Sequence, residues 1–177
     1  MYNAKCMGGV GVIDPSKVAA TAKLLVNENQ KFRRFLKNHA DPDELDKHFE
    51  DLHNELFRDY DCCKCTNCCR VYSISLRADE IDRISAHLGL TTIAFIDEYL
   101  TQSANGYELN APCRLLNADG RCVVHVCKPS ECREYPYTDK PERLESLLGV
   151  MSFAEVCPVV FEIVKRLKDI YRFVGRE

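Results

Sequence analysis

Five cysteines stand among the eight residues CCKCTNCC, positions 62 to 69. Cys62, Cys65 and Cys68 are each three residues apart, and Cys69 follows Cys68 directly. A second group lies downstream at Cys113, Cys122, Cys127, Cys132 and Cys157, while Cys6 stands apart near the N-terminus. Thiols in this number can form disulfides, hold metal or carry out redox chemistry. In a C-x-x-C pair both thiolates reach one ion, and loop N–H groups remain to donate to the sulfurs. Two overlapping pairs, an adjacent further sulfur and a downstream group together point to metal or cluster ligation.

Disulfides are disfavoured on two grounds. The count of eleven is odd, and near-adjacent cysteines rarely meet disulfide geometry. The first residues, MYNAKCMGGVGVIDPS, lack a basic start followed by an apolar core. A cytoplasmic location is therefore expected, in which thiols stay reduced. A lone redox C-x-x-C would sit within a thioredoxin-like alternation of strands and helices, and none is visible.

The string C-x2-C-x2-C is the order that wraps iron–sulfur clusters in bacterial ferredoxins, and Cys157-Pro158 matches the Cys-Pro that ends such runs. The fourth ferredoxin ligand is missing at its usual offset. Structural zinc instead favours isolated pairs that supply four sulfurs. Adjacent Cys68 and Cys69 are expected to project in different directions, which suits sharing between two ions, two sites or one polynuclear cluster. The balance tilts to iron–sulfur over zinc.

Four pieces together resemble a known family. They are Cys62-x-x-Cys65-x-x-Cys68-Cys69, Cys113 followed by Cys122 after eight residues, Lys128-Pro129-x-x-Cys132-Arg133-x-Tyr135-Pro136, and a final Cys157. Their order over about residues 61 to 160 resembles the YkgJ-type cysteine-cluster family, described as a zinc- or iron-chelating CxxCxxCC domain. A similar domain occurs in flagellin lysine-N-methylase, which uses S-adenosylmethionine. The resemblance implies as ligands Cys62, Cys65, Cys68, Cys69, Cys113, Cys122, Cys132 and Cys157. Cys6, Cys63 and Cys127 fall off the pattern, so Cys63→Ser and Cys6→Ser are expected to change little. Thr66 replaces the glycine usual after the second cysteine, Lys128 stands where Arg is commoner, and His125 where Tyr is commoner. Thirteen non-cysteine residues adjoin the eight, and five of them are basic (Lys64, Arg70, Arg114, Arg121, Arg133). Composition predicts about two, so cations near the thiolates are expected to help offset their charge.

Elements must position these sulfurs. Asp14-Pro15 and Asp41-Pro42 are helix starts, with Asp as cap and Pro at the first helical position. The first helix is expected from Val18 to about His39. The second carries the apolar stripe Leu45, Phe49, Leu52, Leu56 and Tyr60. The cysteine knot is expected as a loop from Asp61 to about Arg70, then a strand at Val71–Leu76. A helix over ADEIDRISAHLG stops at Gly89, and a short one capped by Thr91 or Thr92 runs through Tyr99. GYELN reads as a short strand, and LLNADGRCVVH as two strands about an Asp119-Gly120 turn. CKPSECREYP is too rich in turn residues for a regular element, and Val159–Phe173 closes the chain as a helix. The fold class expected is α+β and mostly helical. A helical extension over residues 1–60 precedes a small, loop-rich, metal-organised domain over 61–177.

Other candidates carry less. His125 lies between Cys122 and Cys127 and could ligate zinc or iron, although a lone strand histidine more often packs or hydrogen bonds. His48 and His53 are five apart and do not share a helical face. Asp79, Glu80 and Asp82 at a helix start favour the dipole. GGVGV at 8–12 follows no strand and is weak as a nucleotide loop. A net charge of −3 without a polybasic block gives no bulk case for nucleic acid, and no apolar run is long enough for a membrane span. The partners implied are metal ions, and a protein partner through the N-terminal helices. Two further readings stay open. One is a methyltransferase-like enzyme that uses the cluster; no glycine-rich S-adenosylmethionine loop is visible for it. The other is a zinc-organised interaction module.

Overall fold

The computed structural model describes residues 11–104 and 106–175; Cys6 and most of GGVGV lie outside the described residues. In chain order the helices are α1 (Val18–His39), α2 (Pro42–Phe57), α3 (Cys62–Cys65), α4 (Asn67–Val71), α5 (Ala78–His87), α6 (Thr92–Tyr99), α7 (Ser130–Glu134), α8 (Arg143–Phe153) and α9 (Pro158–Ile170). The strands are β1 (Ile74–Leu76), β2 (Thr101–Ser103) and β3 (Gly106–Leu109). The fold is α+β and mostly helical. It comprises two compact units: Cys62–Tyr135, and a second in which the chain up to Asp61 is joined by the chain from Pro136 onward. No helix among the described residues is long and apolar enough to cross a membrane.

In the helical unit, α1 and α2 each pack against α8 and α9. The predicted caps operate. Asp14 accepts from the Ser16 N–H at 2.8 Å and opens a 3-10 turn, Pro15–Lys17, ahead of α1. Asp41 accepts from the N–H groups of Asp43 and Glu44 and starts α2. The expected stripe is buried at Leu45, Phe49, Leu52 and Leu56; Tyr60 lies beyond the helix end. Helix α8 has no counterpart in the sequence reading. Its apolar residues run nearly all round it, so the one-sided pattern that flags a surface helix is weak. Its start is fixed from a distance, where the Asp46 carboxylate accepts from the N–H groups of Glu142 (2.7 Å) and Arg143 (2.8 Å). His53 Nδ1 meets the hydroxyl of fully buried Thr138 at 2.8 Å.

The cysteine unit is built on a small antiparallel sheet in the order β1-β3-β2, with Ile74 opposite Leu109 and Leu76 opposite Tyr107. Its core is Leu76, Ile81, Ile84, Phe95, Leu109, Leu115 and Val124, and Cys113, Cys122 and Cys127 pack against that core. Helix α5 ends as expected before Gly89, at φ +70°. Thr91 caps α6 by accepting from the Ala94 N–H.

Three expectations are corrected here. The knot is no open loop; it is the two helical turns α3 and α4, hinged at Thr66. The predicted strand from Val71 is shorter, because Val71 closes α4. The Asp119-Gly120 turn forms, with Gly120 at φ +83°, but a single bridge between Leu116 and Cys122 replaces two strands.

Candidate metal centre

Each half of the cysteine pattern sits on its own scaffold. Upstream, Cys62 and Cys65 open and close α3, while Cys68 and Cys69 lie in α4. Thr66 joins the two turns at φ +53°, in the left-handed region where a β-branched residue is strained. It is buried, and Arg70 Nε donates to its hydroxyl at 3.3 Å. Downstream, Cys113 and Cys122 flank the hairpin-like turn, and Cys132 lies in α7. The Cys113 N–H donates to the Cys69 carbonyl at 2.8 Å, which pins the downstream loop to α4.

The sulfurs are close enough to perturb one another. Cys68 Sγ and Cys69 Sγ are 4.0 Å apart, so the two neighbours do not diverge as expected. The hydrogen bond from Cys68 holds the Cys69 thiol down at about 7, and Lys128 and Arg70 add to the effect. Burial pushes the Cys113 thiol up to about 11, assisted by the charges of Cys69 and Cys122. Burial likewise raises Cys122. Cys132 is raised by burial and by Cys69, Cys113 and Cys122; its side chain still reaches solvent, so water screens part of that effect. Cys69, Cys113, Cys122 and Cys132 therefore form one electrostatic group, with Cys68 against it. Among the described residues no three Cys, His, Asp or Glu side chains are already drawn in to ligand distance of a common ion. Cys157 belongs to the helical unit, where it is buried at the N-cap of α9.

The donor set suits a metal in a second respect. The Leu115 N–H is directed at the Cys113 sulfur, and the Val124 N–H at the Cys122 sulfur. Such N–H donors stabilise thiolates once metal replaces their protons. Leu115 and Val124 are each 1% exposed. The residue two places after each cysteine thus anchors in the core and aims its N–H at the sulfur. Cys127, outside the predicted ligand pattern, packs on the same core.

Cations face the sulfurs both from beside a cysteine in sequence, as Arg70 next to Cys69, and from farther along the chain. Lys128 acts on both Cys69 and Cys122. Arg114, by contrast, donates to the Glu98 carbonyl and covers the Tyr99 ring, and Arg133 donates to the Lys128 carbonyl at 2.6 Å. Glu80 is a further positioning residue whose role sequence reasoning missed. Besides favouring the start of α5, it is 1% exposed and accepts from the N–H groups of Arg77 (3.1 Å) and Ser130 (2.7 Å). Burial opposes its charge, but those N–H groups prevail and hold the carboxyl below its usual range. The bond to Ser130 fixes the first residue of α7, two places before Cys132.

Residues 61–158 match the family called CxxCxxCC, described as "Putative zinc- or iron-chelating domain". This is more than half of the chain, and the chain belongs to that family. No curated protein and no solved structure matches it.

Proposed function

We propose that the chain is a metal-holding protein whose thiolates bind a polynuclear centre, an iron–sulfur cluster in the first reading. The observation that carries the centre is the family's cysteine pattern folded so that the Cys68 and Cys69 sulfurs lie 4.0 Å apart and the Cys113 N–H donates to the Cys69 carbonyl. Cys62, Cys65 and Cys68 join Cys69, Cys113, Cys122 and Cys132 as ligands in this reading. Four thiolates saturate one tetrahedral ion, so seven call for more than one ion or a cluster. The C-x2-C-x2-C string supports iron–sulfur.

Zinc is the second reading, and one distance fits a single tetrahedral ion. Two sulfurs on one tetrahedral zinc are about 3.8 Å apart, close to the 4.0 Å between Cys68 and Cys69. In either case the metal supplies folding free energy to a unit with a small core. The protein's own residues hold the ligands: Glu80 fixes α7, the Cys69 carbonyl pins the Cys113 loop, and Lys128 offsets thiolate charge.

The test is purification without oxygen, followed by iron, sulfide and zinc per chain beside the visible spectrum. Stoichiometric iron and sulfide that are lost in air support the cluster. One or two zinc ions without colour or sulfide establish the zinc reading in its place. Retention of neither metal defeats ligation itself.

A further inference from the structure

Cys63 and His125 lie outside the eight predicted ligands, yet the fold brings Cys63 Sγ to 3.1 Å from His125 Nδ1, across 62 positions of sequence. We propose that both are metal ligands, Cys63 through its thiolate and His125 through Nδ1, giving the centre a nitrogen donor beside its sulfurs. This inference rests on the metal-binding reading above.

The geometry supports it in two ways. Sulfur and nitrogen on one tetrahedral ion are about 3.5 Å apart, so the two groups need part by less than about half an ångström to admit one. Cys122, one of the ligands expected from the sequence, stands three residues before His125. The His125 N–H donates to the Cys122 carbonyl at 3.3 Å, opening the 3-10 turn His125–Cys127. His125 and Cys122 therefore share one short turn of backbone.

Placement gives such an ion a distinct job. Cys63 sits in α3 between Cys62 and Cys65, whereas His125 and Cys122 belong to the downstream loop. An ion held by Cys63 and His125 would tie the two cysteine groups together by a route separate from the Cys69–Cys113 backbone bond. Thiolate and imidazole are the donors zinc and iron share, so the assignment does not depend on which metal is resident.

The test uses the full chain, stripped of metal and titrated with Co²⁺ under anaerobic conditions. Wild type is compared with His125→Ala, His125→Gln, Cys63→Ser and Cys127→Ser. Pulsed EPR of the cobalt-loaded wild type is expected to show a directly bound imidazole nitrogen, and that signal is expected to vanish in both His125 variants. Affinity for cobalt is expected to fall at least about tenfold in His125→Ala and Cys63→Ser. Cys63→Ser alone of those two is expected to lose thiolate-to-cobalt charge-transfer intensity, while Cys127→Ser keeps both affinity and spectrum. Cobalt bound with no nitrogen coupling in wild type overturns the assignment whether or not the variants fold. An equal loss in Cys127→Ser overturns it too, by tracing the effect to general disruption. Failure of wild type to bind any cobalt defeats the metal-binding reading, and this proposal with it.

Discussion

Thr66 carries a conformational penalty that a glycine would not. At φ +53° an L-residue pays about 1 kcal/mol or more relative to glycine. Removing the threonine side chain also gives up the hydrogen bond from Arg70. Thr66→Ala loses that bond and keeps the strain, whereas Thr66→Gly loses the bond and is relieved. Chemical denaturation is expected to place Thr66→Gly about 1 kcal/mol above Thr66→Ala in stability; equal values would show that this backbone is unstrained. Cys132→Ser is expected to lose metal, read as metal per chain, and to lower the melting temperature. Spacing made the cysteine pattern legible residue by residue. The Cys63–His125 contact was not legible, because only the folded chain brings together positions 62 apart, and the sequence reading set Cys63 aside. Lys128 is legible only as part of the motif before Cys132; its influence on Cys69 acts through space, beside that of Arg70, the sequence neighbour of that cysteine.

Helices with strong caps and a one-sided apolar stripe, α1 and α2, were legible almost to their ends. The turns α3, α4 and α7 were not, since four or five residues are too few for a helical period to register. Two contacts at this scale invite measurement. Glu80 joins the start of α5 to the start of α7. Glu80→Gln keeps the shape but weakens the charge-assisted bond from the Ser130 N–H, and it is expected to lower metal affinity several-fold with little loss of helix by circular dichroism. Unchanged affinity would mean α7 needs no such anchor. In the helical unit, burial keeps the His53 imidazole below its ordinary value of about 6.5, with Lys140 acting in the same direction and Asp139 opposing. The unfolded chain therefore binds this proton more readily. The contribution is present above about pH 6.5 and is lost as pH falls through the lower folded value. Melting temperature is expected to drop below pH 6.5 in wild type and to drop less in His53→Gln.

At the scale of the molecule, the fold class was legible and the grouping of elements less so. Residues after Tyr135 fold with the N-terminal helices, a pairing that rests on contacts such as Asp46 to α8, which no local pattern announces. The two units also differ in what sustains them. The helical unit has long buried faces on α1, α2 and α9, while Cys62–Tyr135 has, among its described residues, a core of seven and a cluster of thiols. Chelation is expected to raise hydrogen exchange across residues 62–135 and to leave α1 and α2 protected; uniform loss of protection over the whole chain would count against that division.

Leu115 and Val124 give the arrangement a further consequence. Each fills the core with its side chain and serves a cysteine with its N–H, so a loosened sulfur loosens the core beside it. A chain starved of metal would expose the segment from Cys113 to Cys132 to proteases. Metal supply would then be registered as the lifetime of the polypeptide itself, with limited proteolysis cutting the stripped protein in that segment and sparing the loaded one.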